Sequence, residues 1–532
     1  MSLISLEFIA FFLIVMIIYF LLPGRLQWIW LLIAGGVFYR FGASSLQCVV
    51  FVVFLILNYA ASLRITDECK NAGRIFRAII IFDVLMLMGL KYTGFFYDIY
   101  GWITGLFGHS INEGIYMKVM YYAEELCPPR ISYFSLIVIG YLTDVYWGRV
   151  GLQRNPGRFA LFASYFPLMT SGPIVQYEQI SSSLWDKKHE FSYDRFISGS
   201  QRILWGIFKK LVISERLAVM VNEIYDYYEL YPGFYVVFAA AGFAFQLYTD
   251  FSGLMDIVLG FSQILGIELP ENFNTPFYSE SLAEFWRRWH ITLGGWLKSY
   301  VFYAVQQTEA FRNLRKLCKK KLGKGYEKKY NIPQFLGLMI SWFLIGLWHG
   351  GGWNYIFGVG VYMGIVIIIS ELCQPLFRRI TGLLHINTDC FSYTLFKRIR
   401  TFLLFIFGLS FFRADTLRYG FSMWKSAFSI FNPWIFFDRS LYNLGLDESE
   451  FHILLFSMLI LLVVSMLQRR GGGVPEPSEE RPCPQMEHVR TLISSQNYLF
   501  RLLLFAALFI MVICWGYYGS EFNAADFIYG RF

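Results

Sequence analysis

The segment Phe234–Ile267 reads FYVVFAAAGFAFQLYTDFSGLMDIVLGFSQILGI. It is longer than the about 20 apolar residues that cross a hydrocarbon core. Its only charged side chains are Asp250 and Asp256. Such a run reads as a membrane span, and others like it recur along the chain. They are Leu3–Leu22, Leu26–Phe41, Leu46–Leu63, Ile75–Tyr92, Ile131–Trp147, Phe159–Val175, Ile197–Val221, Ile332–His349, Tyr355–Leu372, Thr401–Phe412, His452–Leu467 and Tyr498–Tyr517. Several are short or interrupted by Gly and Pro, which allows re-entrant pieces. The expected fold is therefore all-α and polytopic, with about 11 to 14 transmembrane or re-entrant helices. Leu3–Leu22 lacks a basic leading region and a small-residue cleavage site and carries Glu7, so it reads as a retained span.

Composition agrees. Of 532 residues, 56% are hydrophobic and 16% charged, with mean hydropathy +0.46, against about 25% charged in soluble domains. A soluble enzyme, a disordered tail protein and a secreted disulfide scaffold are excluded. Eight scattered cysteines without a CxxC, and no His/Cys cluster at metal spacing, argue neither a disulfide framework nor a metal site.

The net charge of +8 has an address. Arg312–Lys329 holds nine Lys and Arg against Glu327, which is +8 within that block alone. The block reads as a cytoplasmic topology anchor on anionic membrane lipid, or as a dock for an acidic donor or carrier; nucleic acid is not an expected partner. Arg64, Lys70, Arg74 and Arg77 likewise mark the loop after the third span as cytoplasmic. Counting spans then puts the N-terminus outside and, with Arg469 and Arg470 inside, the C-terminus outside as well. Residues 431–497 read as an extra span followed by the flexible linker Gly471–Pro484, and 498–532 as a last span with an aromatic tail.

Ionisable groups within apolar segments are costly and are functional candidates by default. His290 lies in Glu284–Trp296, where Trp286, Trp289, Leu293 and Trp296 share its face at helical spacing, with Arg287 and Arg288 beside it. That spacing predicts one amphipathic helix at the cytoplasmic interface. His349 closes an apolar helix at Trp348-His349, before three glycines, Trp353 and Asn354. An imidazole with a pKa near about 6.5 suits a proton acceptor at neutral pH, although a hydrogen-bonded histidine at a helix end reads equally well. His109, His189, His385, His452 and His488 are expected at the surface. Asp144, Asp250 and Asp256 could pair with basic partners, bind a cation or move protons, and structural pairing is the favoured role.

Taken in order, several segments resemble the membrane-bound O-acyltransferase family, in its bacterial exopolysaccharide branch. They are Arg130–Ser135, Tyr141–Tyr146, Ser164–Ile174, Asp250–Gly253, Pro270–Pro276, Phe285–His290, Gly346–Gly350, Phe411–Asp415 and Phe527–Phe532. The resemblance covers a membrane core of roughly residues 1–430 and the last span. It implies helices around a central tunnel in a bacterial cell (inner or plasma) membrane. His349 would be the catalytic base, His290 the second histidine, and Tyr529 of the terminal hexapeptide an acyl relay. Trp286, Arg287, Arg288, Trp348, Asp250 and Asn354 would serve the donor or substrate. It further implies no bound cofactor and no metal, with acetyl-CoA or a carrier-borne phosphopantetheine thioester as donor. A secreted or membrane-anchored SGNH-type acetyltransferase, or another polymer-modifying protein, would be the partner. After Trp296 the chain runs through Tyr300–Val305 into the basic block, more like the teichoic-acid D-alanyl type, so acetyl and D-alanyl both stay open. Gly530-Arg531 replaces the bulkier residues often found in the hexapeptide. Outside the family, a proton-coupled transporter or flippase with a histidine relay is the rival; no internal repeat is evident to support it.

Overall fold

The computed structural model describes residues 2–66, 69–108, 112–169, 172–323, 325–326, 330–470 and 488–518. Among these the protein is helical, and its one extended pairing is a single bridge between Phe273 and Trp289. The helices that build and frame the site are α1 (Leu6–Leu21), α2 (Gly24–Gly42), α3 (Ser45–Ser62), α4 (Ala72–Leu90), α5 (Ile131–Tyr146), α6 (Tyr193–Phe208), α7 (Glu215–Asp226), α8 (Phe234–Leu265), α9 (Leu282–Arg288), α10 (Ile291–Leu297), α11 (Glu309–Leu322), α12 (Ile332–Gly350), α13 (Phe391–Arg413), α14 (Glu448–Arg470), α15 (His488–Ser494) and α16 (Tyr498–Trp515). Among the described residues, six helices are long and apolar enough to cross a membrane: α3, α8, α12, Trp353–Leu372, α14 and α16.

Caps on the helices follow local chemistry. Ser44 and Gln47 form a reciprocal box at the start of α3, each side chain accepting from the other's backbone N–H at 3.2 and 2.9 Å. The run Phe159–Val175, read as one span, instead breaks into Pro156–Ser164 and the short helix Phe166–Met169. Pro167 lacks the backbone donor and its ring crowds the carbonyl one turn earlier, so it fits the first turn of Phe166–Met169 but not the interior of a longer helix. Both pieces are buried against the bundle.

Two helices form the centre. Every residue of α5 from Ile131 to Val145 is buried, so this short helix is wrapped on all sides. Most of α8 is buried as well. The outer helices turn apolar side chains outward, among them Ile14, Val52, Ile56, Leu459 and Ile510, as a lipid-facing surface requires. His189, expected at the surface, is buried instead: Nε2 bonds the Ser183 carbonyl at 2.6 Å, and its backbone N–H and C=O are both held by Gln27.

A close backbone contact joins α6 to α8. A Cβ added at Gly206 would lie 2.5 Å from the Gly253 carbonyl oxygen, and one at Gly199 2.7 Å from that of Gly260. The reverse distances are 2.8 and 2.7 Å. Small residues in register let two backbones meet where lipid offers no hydrophobic driving force. Gly206→Ala and Gly253→Ala should each destabilise the protein by about 1–3 kcal/mol, as overpacking does. The double variant should cost less than the sum, because each already parts the same helices. Thermal unfolding in detergent measures this, and unchanged melting in both single variants would refute the contact's importance.

Candidate active site

The predicted helix through Trp286 and His290 is broken in two. Ser281 caps α9 through its hydroxyl, which accepts from the Glu284 N–H at 3.2 Å. The helix stops at Trp289, which turns extended and pairs with Phe273, while His290 takes a left-handed conformation with φ 48°. Backbone bonds to the neighbouring loop stitch the break: Asn274 N–H to Arg288 C=O at 2.9 Å and Ile291 N–H to Asn272 C=O at 3.0 Å. Trp289, His290 and Trp296 are consequently buried, not laid along an interface.

Asn272 fixes the His290 ring. Its Oδ1 accepts from the Thr292 N–H (3.1 Å) and Thr292 hydroxyl (3.0 Å) and lies 3.3 Å from His290 Nδ1. The Thr292 N–H can only donate, which identifies that Asn272 atom as oxygen. Nδ1 of His290 therefore carries the proton and Nε2 the lone pair.

His349 occupies the last turn of α12, which Gly351 ends in a left-handed conformation at φ 67° that only glycine adopts freely. The ring lies between Trp348 and Phe412, with centroids 4.9 and 5.2 Å away. Trp348 in turn is 5.9 Å from His290. One indole thus bridges the two imidazoles. Its backbone carbonyl accepts from Lys91 Nζ at 3.2 Å and from the Tyr92 hydroxyl at 3.0 Å.

Two cavities flank this core. The larger, about 1690 Å³, is bordered by Leu90, Arg130, Lys210, Gln246, Gly350 and Arg413. The smaller, about 440 Å³, is bordered by Arg202, Lys209, Tyr248 and Asn272 and by apolar faces of α14 and α16. The wall between them runs across the same helices. Along the chain that continues α6 it falls between Lys209 and Lys210, and along α8 between Gln246 and Tyr248. A π turn at Lys209–Ser214 aims both lysines at α8. Lys209 bonds Asp256 at 2.7 Å and Ser252 at 2.9 Å, and Arg202 bonds Asp256 at 2.8 Å and Glu271 at 2.6 Å. Lys210 bonds Asp250 at 2.7 Å and Glu215 at 2.5 Å. Buried charges so matched tolerate the loss of one partner poorly, at about 3–5 kcal/mol.

Of the residues singled out in the sequence, His290, Trp348 and His349 come together. Asn354 is buried, donates to the Ala414 carbonyl at 2.8 Å and borders the larger cavity. Asp250 is held by Lys210, and Asp144 by Tyr300 at 2.5 Å and Arg149 at 3.5 Å. Trp286 packs behind the site on Trp342 at 4.9 Å. Arg287 is exposed, and Arg288 is tied to Glu284 at 2.9 Å. Tyr529 and the linker Gly471–Pro484 lie outside the described residues. Sequence reading missed Lys91, Tyr92, Asn272, Arg202, Lys209 and Lys210. The paired lysines could have been found, since they interrupt the apolar run Ile197–Val221 as conspicuously as Asp250 interrupts its own. Among the described residues, no group of His, Cys, Asp and Glu is arranged to hold a metal ion.

Comparison with known proteins agrees with this architecture. The model of the membrane-bound O-acyltransferase family matches residues 155–317, which include α6 to α10 and His290. The chain is 27% identical to the probable alginate O-acetylase of Azotobacter vinelandii, over 88% of this chain and 86% of that protein. It is also 27% identical to the peptidoglycan O-acetyltransferase of Helicobacter pylori, over 64% of each, and 29% identical to the teichoic acid D-alanyltransferase of Bacillus subtilis, over 44% and 57%. A helical membrane bundle closed around two tryptophan-linked histidines, a membrane-bound O-acyltransferase domain over residues 155–317 and these relatives together mark the chain as an O-acyltransferase.

Proposed function

We propose that this enzyme carries an acetyl group from a cytoplasmic thioester across the membrane for O-acylation of a cell-envelope or extracellular polysaccharide. The observation that carries the reading is the pair of cavities on opposite sides of one wall, each bordered by a neighbour of one of the linked histidines. Asn272 borders the smaller cavity and touches His290, while Gly350 and Phe412 border the larger and flank His349. Acetyl is favoured because a relative matched over 86% of its own length is a probable alginate O-acetylase by name, whereas the D-alanyltransferase is matched over 57%.

Sidedness supports the direction. The basic helix α11 precedes Ile332, whereas the far end of α12 opens on the larger cavity. At 1.5 Å per residue, α12 separates the two by about 28 Å, a membrane's hydrocarbon thickness. The distribution of Lys and Arg favours the positive face as cytoplasmic, and on that reading the larger cavity and both termini face outside. A CoA or carrier-borne phosphopantetheine thioester then approaches from the basic side, drawn by exposed Lys319, Lys320 and Lys321.

In the reaction, His349 takes the proton of the acceptor hydroxyl as its oxygen bonds the thioester carbon. The tetrahedral intermediate collapses as the C–S bond breaks, and the imidazolium returns the proton to the leaving thiolate. Proton transfer of this kind contributes about 10²–10⁴ in rate. His290, oriented by Asn272, positions the donor. The acceptor is Tyr529 or a hydroxyl of a partner transferase at the larger cavity. Tyr517 borders that cavity, its N–H bonding the Leu211 carbonyl at 2.9 Å. Eleven further residues from Tyr518 can span up to about 36–40 Å, ample to reach inside.

His349→Ala should lower polymer O-acylation at least about 100-fold at unchanged protein level in the membrane. Base-released acyl groups from the envelope measure it and distinguish acetate from D-alanine. Acylation persisting in the variant would remove His349 from the chemistry, and released D-alanine would replace acetyl in the reading. Tyr529→Phe removes only a hydroxyl; a comparable loss is expected, and full activity would assign Tyr529 to packing.

A further inference from the structure

Lys91, half-buried, differs from three buried cations of the site. Arg202, Lys209 and Lys210 are each matched with carboxylates. The Lys91 ammonium has neutral partners: the Ser132 hydroxyl at 2.5 Å, the Trp348 carbonyl at 3.2 Å, and the Tyr92 and Trp348 rings at 5.4 and 5.6 Å. Among the described residues no carboxylate comes within 4.0 Å of it. A cation kept in a membrane protein without a counter-charge needs a reason.

Its position supplies one. Lys91 follows the last turn of α4 and reaches across to the first turn of α5 and the last turn of α12. It therefore touches the backbone of the residue next to His349 and borders the larger cavity, as Ser132, Gly350 and Phe412 do. An ammonium has three N–H donors, and two are used. Because Lys91 itself borders the cavity, the third is left for a group bound there.

We infer that Lys91 is a catalytic residue of the transfer, donating a hydrogen bond to the oxyanion that forms on the thioester carbonyl; this rests on the transfer reading above. As the acceptor oxygen bonds the carbonyl carbon, the C=O electron pair moves onto oxygen and the hydroxyl proton goes to His349. The resulting negative charge sits by a fixed positive one. When the C–S bond breaks, the pair returns to the carbonyl and the thiolate takes the proton from His349. Lys91 keeps its own proton throughout. Ser132 and the Trp348 carbonyl hold the ammonium in place beforehand, so little reorganisation is needed as charge develops, the circumstance in which such a donor counts most.

The test uses the purified full chain, Tyr529 included, in nanodiscs with acetyl-CoA as donor and N-acetylserinamide as a stand-in for a partner transferase's hydroxyl, reading released CoA with a thiol reagent. Lys91→Met should lower kcat by about 10²–10³, with KM for acetyl-CoA within twofold and melting within a few degrees of wild type. Lys91→Arg, which keeps a charged donor, should recover at least tenfold of that loss. The assignment fails if Lys91→Met keeps kcat within threefold, if the loss lies in KM, or if it tracks a fall in melting temperature. Release by the wild type no faster than by His349→Ala overturns the transfer reading and Lys91's role with it. Wild-type release above that background, matched by Lys91→Met, removes Lys91 alone.

Discussion

The glycine contact between α6 and α8 is the constraint on which the site depends. With Gly199 and Gly206 against Gly253 and Gly260, the two backbones touch, and only at that spacing can Arg202 and Lys209 reach Asp256. The ion pairs do not create the approach; desolvating several charges offsets most of their attraction. They instead fix the register, since a slip of one residue would leave a buried charge unmatched. From that fixed pair, the loop carrying Glu271 and Asn272 is set against Arg202 and His290. The orientation of the imidazole is thus traceable to the absence of four β-carbons.

Much of this was legible in the chain. Apolar runs gave the helices, and the cost of burying an ionisable group singled out His290, His349, Asp250 and Asp256. Their partners were in view as well, but averaging hydropathy over Ile197–Val221 hides Arg202, Lys209 and Lys210. The break at Trp289-His290 was not legible. Trp286, Trp289, Leu293 and Trp296 continue helical spacing straight through it, and what interrupts the helix is a bridge to Phe273, sixteen residues earlier. Nor could Lys91 be read as more than a charge at the end of a span, because its partners come from helices forty and more than two hundred residues away.

That broken helix matters for chemistry. A continuous helix would have carried His290 on a repeating face with its tryptophans; the left-handed turn instead presents it alone to the indole of Trp348. A single side chain then sets the spacing of both imidazoles, and its own carbonyl is pinned by Lys91 and Tyr92. Histidines in the last turn of one helix and at a kink between two others would otherwise be free to drift as the helices tilt.

The wall between the cavities has a consequence beyond acyl transfer. The linings of the two cavities change over within one or two positions along the chain, between Lys209 and Lys210 and between Gln246 and Tyr248. A cell membrane holds a voltage worth about 2.3 kcal/mol per elementary charge per 100 mV, and any continuous polar passage would discharge it. Charges along the partition are locked in matched pairs, and aromatic rings close around the histidines. On the proposed route the enzyme must therefore work as an electrical insulator as well as a catalyst, admitting a small acyl group while denying passage to ions.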